Sequence, residues 1–295
     1  MHNTIKKCIN GARAGLGRLL GREKQLRQLR EELAEERRRV EKLREQNRRL
    51  KARGRGGAGR SAGGGGNRKQ RGRTPQAGSL SFGDFRRVDP VSRNYGLNRG
   101  TPIDRYYIES FLACHSEDIG GRVLEIKDAF YTRKYGGESV IKSDVLDIEE
   151  NNRRANIVAD LTRADDVPSN TFDTIICTQT LHLIYDAASA VKTLQRILKP
   201  GGILLATFPG ISQTSCERFN EHHYWAFTKL SARQLFEEAF PATSFEIGVH
   251  GNVLAAVAFL EGLAVRELSG EELDHHDPDY ELVITLRAVK PEAGL

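Results

Sequence analysis

From Phe82 onward, short apolar runs alternate with stretches in which apolar residues recur every three or four positions. The short runs predict strands at 122–126, 140–143, 156–158, 172–177, 203–208, 244–249 and 280–289, and the longer spacing predicts helices at 104–112, 187–198, 232–240 and 255–267. Strands and helices that take turns along a chain cannot pair as hairpins. They build a mostly parallel sheet with helices on both faces, a doubly wound α/β fold. The helix at 104–112 would pack on this sheet just before its first strand.

Upstream the pattern differs. Leu19, Leu26, Leu33 and Val40 stand seven apart, with Asn47 continuing the series, and Leu29, Leu43 and Leu50 form a second series that Glu36 interrupts. Such heptads predict an α-helical coiled coil over 19–52 and a homodimer through it, against a single solvated helix of strong helix formers. Gly and Arg then dominate 53–79, with four glycines at 63–66 and almost nothing apolar to bury, which predicts a disordered linker. The expected organisation is a basic segment at 1–18, the coiled coil at 19–52, the linker at 53–79, an N-terminal cover at 80–121 and the main domain at 122–290.

Charge divides the chain the same way. Residues 1–78 hold 23 Lys/Arg and 7 Asp/Glu, whereas 79–295 hold 22 and 32, so the formal +6 of the whole describes neither half. The basic segment is expected to attract polyanions weakly, and it has no interleaved aromatics for stacking bases. Four unpaired cysteines (Cys8, Cys114, Cys177, Cys216) fit a reducing compartment. The longest apolar run, 253–260, is far too short to span a bilayer, so no transmembrane segment is expected and the protein is expected in the cytoplasm.

Open parallel sheets bind ligands at the carboxyl ends of their strands. Glu125 falls near the end of the first predicted strand and Asp144 comes after the second, about 19 residues on, where an acid can accept both hydroxyls of a ribose. Asp160 comes after the third, where a carboxylate can accept from an exocyclic amine. The fourth strand runs into Thr178-Gln179-Thr180-Leu181-His182. A helix then ends in Leu198-Lys199-Pro200-Gly201-Gly202 and turns into the fifth strand.

Phe172-Asp173 through His182, with Leu198-Lys199-Pro200-Gly201-Gly202 and a strand after it, is similar to the middle motifs of the class I S-adenosylmethionine-dependent methyltransferases. Tyr224-Trp225-Ala226-Phe227-Thr228, ahead of a helix ending in Phe, resembles a subset that includes members encoded alongside glycan-building enzymes. The resemblance covers 122–290 and implies a Rossmann-like domain with S-adenosylmethionine as cofactor. It implies Glu125 beside the cofactor's methionine end, Asp144 on its ribose, Asp160 near its adenine amine, and Thr178 and Gln179 lining the pocket. Lys127 and Leu161 complete the cofactor-side set. One departure stands out: where the family's first loop has alternate glycines, this chain has Lys127, Ala129 and Tyr131. Either a reshaped loop cradles the cofactor or the site has lost it.

In-line methyl transfer needs an aligned acceptor and, for a hydroxyl, a base. His182 is the candidate base, with helix packing as its alternative role, and Tyr224 and Trp225 are candidate substrate contacts beside His222 and His223. Arg105 and Tyr106 are candidate cover residues, or simply pack on the sheet. His275, His276, Asp277 and Asp279 look metal-like by composition, but no metal site is assigned. The expected function is methyl transfer to oxygen on a small-molecule or glycan-like acceptor. Two readings stand beside it: an inactive methyltransferase-like scaffold, and a nucleic-acid methyltransferase guided by the basic N-terminus.

Overall fold

The computed structural model describes residues 75–214 and 223–292. The chain divides into two units, Met1–Ser61 and Ala62–Leu295, and the described residues all belong to the second. The expected coiled coil, the basic segment and most of the linker lie outside them.

Seven strands form one sheet: β1 (Gly121–Ile126), β2 (Val140–Asp147), β3 (Ile157–Val158), β4 (Phe172–Thr178), β5 (Leu198–Pro209), β6 (Phe245–His250) and β7 (Val283–Val289). Their order is β3-β2-β1-β4-β5-β7-β6; the first five pair in parallel, and β7 runs antiparallel to both β5 and β6. The mostly parallel doubly wound sheet expected from the alternation is present. Among the described residues six helices accompany it: α1 (Ile103–Cys114), α2 (Phe130–Tyr135), α3 (Ala187–Ile197), α4 (Lys229–Glu237), α5 (Val253–Leu260) and α6 (Gly270–Asp274).

The central strands are buried on both faces, so β4 shows a nearly unbroken run, Thr174 to Cys177, rather than alternation. One core layer gathers Leu124, Leu146, Ile175, Leu194, Phe208 and Phe236; the other gathers Val123, Ile176 and Leu205 with Ile108, Leu112 and Phe259. α3 enters the first layer through Ala187, Ala190, Val191, Leu194 and Ile197, one stripe at helical spacing, and Asp186 caps it by accepting from the Ser189 N–H. α1 supplies the opposite layer through Ile103, Tyr107, Ile108, Phe111 and Leu112.

Several boundaries differ from expectation, each for a tertiary reason. The second strand continues past 143 to Asp147 because Val145 and Leu146 pair with Glu125 and Ile126 of β1. The fifth strand reaches back to Leu198, which pairs with Phe172. The expected helix at 255–267 starts at Val253 and stops at Leu260. Gly262 at φ +69° closes it, with its N–H on the Phe259 carbonyl and that of Leu263 on the Ala258 carbonyl. The helix expected at 232–240 begins earlier, where Thr228 and Ser231 cap each other. The last strand starts at Val283 because the Tyr280 N–H turns back to the Asp277 carbonyl. α2 and α6 are too short to show helical periodicity in the sequence.

Candidate active site

The strand order reverses between β1 and β4, so the crevice beyond their carboxyl ends is where this topology places a ligand. The loop leaving β1 is fastened from below by Glu125. This buried side chain accepts from the backbone N–H groups of Tyr131 (3.0 Å) and Thr132 (2.7 Å) and from the Thr132 hydroxyl (2.7 Å). Burial raises its carboxyl against those three donors. Its carboxylate is therefore committed to holding the loop and α2.

The three departures from the glycine pattern prove to be accommodated. Lys127 keeps φ +77°, a backbone conformation natural to glycine, with its N–H on the Leu146 carbonyl. Ala129 is small and buried. The Tyr131 ring is taken into the core layer with Tyr107, Phe111 and Val123, and its hydroxyl accepts from Arg105 at 3.1 Å.

Asp144 lies elsewhere than the sequence suggested. Three residues short of the end of β2 and 1% exposed, it accepts from Arg122 Nε and Asn156 Nδ2, both at 2.6 Å, and these partners lower its carboxyl. The acid at the carboxyl end of β2 is Asp147, which accepts from Asn152 Nδ2 at 2.6 Å and stands in register with Val158 of β3. The signal for it was present: Val145-Leu146 after Asp144 extends the apolar run. Asp160 sits two residues past β3, with Oδ1 accepting from the Thr162 N–H and hydroxyl at 2.8 Å, and Leu161 is buried in the core.

At the end of β4, Thr178 pairs with Thr207, and Gln179 adopts φ +46° with its N–H on the Thr207 carbonyl. His182 comes next in a short 3-10 turn, buried, its ring 4.7 Å from that of His223. Burial, with His223 adding to it, pushes the His182 imidazole down to about 3, so it is neutral in ordinary buffers. The His182 carbonyl accepts from the N–H groups of both Tyr224 (2.9 Å) and Trp225 (3.2 Å), which brings the two expected substrate contacts to this turn.

Among the described residues, three buried side-chain polar atoms lack a hydrogen-bond partner: Asp104 Oδ1, Gln179 Nε2 and His182 Nδ1. An unpaired buried polar atom costs about 1–3 kcal/mol, so such atoms are few and call for a reason. Two of them, on Gln179 and His182, lie just past β4 at the crevice. Asp104 opens α1, whose next residue, Arg105, bonds to Tyr131 beside β1. Burial raises the Asp104 carboxyl. Tyr106 instead donates to Asp274 at 2.5 Å, joining α1 to α6. Among the described residues no three His, Cys, Asp or Glu side chains gather as a metal site. No described helix is long and apolar enough to cross a membrane.

Residues 130–206 match the family model described as a methyltransferase domain. Over that stretch, about a quarter of the chain, it is similar to a methyltransferase domain. S-adenosylmethionine is the cofactor that such a domain implies, and the unpartnered Gln179 Nε2 and His182 Nδ1 just past β4 suit a polar ligand. Several solved structures resemble this chain in fold. Phosphoethanolamine N-methyltransferase 2 of Haemonchus contortus, in complex with phosphomonomethylethanolamine and S-adenosylhomocysteine, is 16% identical over 64% of this chain, with a TM-score of 0.43; the match spans 56% of that enzyme's length. The [4+2]-cyclase SpnF is 21% identical over 64% of this chain and 81% of its own, at a TM-score of 0.42. N-methyltransferase NodS of Bradyrhizobium japonicum is 17% identical over 65% and 99%, also at 0.42. No curated protein matches the chain in sequence.

Proposed function

We propose that this protein transfers a methyl group from S-adenosylmethionine to a hydroxyl of a small-molecule or glycan-like acceptor. The observation that carries the reading is the pair of unpartnered polar atoms, Gln179 Nε2 and His182 Nδ1, just past the carboxyl end of β4, beside the point where the strand order reverses. When bound, S-adenosylmethionine supplies an electrophilic methyl on a sulfonium. In this reading Asp104 holds the amino group of the methionine end, Asp147 the ribose hydroxyls, and Asp160 with the Leu161 backbone the adenine. Lys127, Thr178 and Gln179 line the pocket, and Glu125 and Asp144 support it from beneath.

His182 receives the acceptor's proton. A neutral imidazole whose conjugate acid titrates at about 3 is a weak base, but it needs no strength here. An ether oxygen that still carries its proton is a far stronger acid than that imidazolium, so the proton moves downhill as the new bond forms. What matters is that the ring stays neutral and in place. Titration calorimetry of the full-length protein with S-adenosylhomocysteine tests the reading. Saturable binding is expected, and no heat of binding at millimolar ligand would refute it.

The retained glycine-like backbone at Lys127 speaks against a decayed scaffold, since an inactive loop would be free to relax from a strained conformation. The acidic balance of 79–295 speaks against a nucleic-acid acceptor. Homodimerisation through 19–52, weak polyanion attraction by the basic segment and a cytoplasmic location complete the proposal.

A further inference from the structure

Beside the His182 turn the surface carries three exposed aromatic rings joined through Tyr185. Tyr185, Tyr224 and Trp225 are 71%, 46% and 40% exposed. Tyr185 stacks on Trp225 with centroids 5.9 Å apart and 25° between planes, and it meets Tyr224 edge-on at 5.5 Å. Large apolar side chains exposed singly are ordinary, but a contiguous cluster marks a binding surface. This cluster is also held rigidly. The Trp225 indole N–H donates to the carbonyls of Ile184 (3.0 Å) and Tyr185 (3.2 Å), and the backbones of Tyr224 and Trp225 both hang from the His182 carbonyl. Whatever lies on these rings is therefore registered against the turn that bears His182.

We infer that Tyr185, Tyr224 and Trp225 form the acceptor ledge and that the group lying on it is a sugar ring. The inference rests on the methyl-transfer reading and names the acceptor class of that same site. A pyranose has an apolar face of C–H bonds, while its hydroxyls project around the ring edge. An open aromatic ledge covers the apolar face and leaves the hydroxyls in water, with one of them free to reach His182. A flat aromatic acceptor gains most from an enclosed apolar slot; here the two rings able to form one are already stacked on each other. An ammonium acceptor would find aromatic faces too, and it gains most where they enclose it as a cage rather than lie open to water. The neighbouring Asp186 accepts from the Ser189 N–H at the start of α3, and the imidazole of the adjoining His182 turn is neutral. Stacked nucleobases would bring phosphates against a domain with 32 acidic and 22 basic side chains.

The chain has one tryptophan, Trp225, so its own fluorescence reports occupancy of the ledge without any turnover. The full-length protein is titrated with cellotriose, maltotriose and chitotriose, and separately with catechol, tetramethylammonium and an oligouridylate. A saturable change in emission is expected with at least one trisaccharide. Tyr185→Ala should weaken it about tenfold and Tyr185→Phe less than about threefold, while both variants bind S-adenosylhomocysteine like the parent. A response to catechol, tetramethylammonium or the oligouridylate with none to the trisaccharides overturns the inference. So does silence with every probe, or a sugar response that survives Tyr185→Ala. If the parent fails to bind S-adenosylhomocysteine, the methyl-transfer reading fails instead, whatever the fluorescence shows.

Discussion

Two acids on β2 separate architecture from chemistry at the scale of a single residue. Asp144 is buried and holds Arg122 and Asn156, so Asp144→Ala strands a guanidinium and an amide and should cost about 3 kcal/mol in chemical denaturation. Asp147→Ala should change stability by less than about 1 kcal/mol and weaken S-adenosylhomocysteine at least about tenfold by calorimetry. The reverse pairing of effects would return the ribose role to Asp144. Asp104 makes a second case. Its carboxyl is raised by burial, so the stability linked to it is present at low pH and is lost as pH rises through its folded value. Asp104→Asn removes that loss and should raise the melting temperature at pH 8, with the gain shrinking toward pH 4; cofactor affinity should fall at the same time. A gain without loss of affinity would make Asp104 a purely structural liability. For His182, burial lowers the imidazole to about 3, so the neutral form persists from about pH 5 to 9. The methyl-transfer rate should lack the fall near pH 6.5 that an unperturbed histidine base would give, and a break there would exclude His182 as the base. Glu125, Gln179 and His182 were legible in the sequence because they stand at or just past strands with clear apolar runs. Asp147 was marked only by the apolar Val145-Leu146 before it, and Asp104 by nothing, because strand length and burial are set by neighbours distant in sequence.

Among the elements, the turns carry as much information as the strands and helices. α5 is apolar on every side, so periodicity could not say where it ends; the end is set by Gly262. A side chain there meets a left-handed φ of +69° and also overlaps the Ser92 carbonyl of the segment crossing beneath it. Gly262→Ala should therefore cost about 2 kcal/mol or more, read from the denaturation midpoint. A loss below about 0.5 kcal/mol would show that the crossing segment gives way easily. The Lys199-Pro200-Gly201-Gly202 turn illustrates the same point in the sheet. The sequence marks a helix stop there, but the structure threads it into β5, where the Gly201 N–H meets the Lys290 carbonyl and Lys290 returns the bond to Gly202. Local signals placed the break, and pairing with the far end of the chain made the turn part of the strand.

Across the whole molecule, the chain joins a basic, leucine-periodic N-terminal part to an acidic α/β domain. If 19–52 dimerises, sedimentation equilibrium of the full-length protein should give a dimer, and Leu26→Asp with Leu33→Asp should give a monomer; a monomeric parent would discard the heptad reading. Alternation of short apolar runs with helical spacing was enough to determine the α/β class and the parallel sheet, because both arise from local periodicity. The three unpartnered polar atoms, the placement of Asp147 and the joining of Tyr185 to Tyr224 and Trp225 were decided only by tertiary structure. Tyr185 and Trp225 are forty residues apart, and Asp104 is buried at the start of a helix that precedes the first strand. Such meetings depend on how the sheet is wound, and a linear pattern holds no record of them.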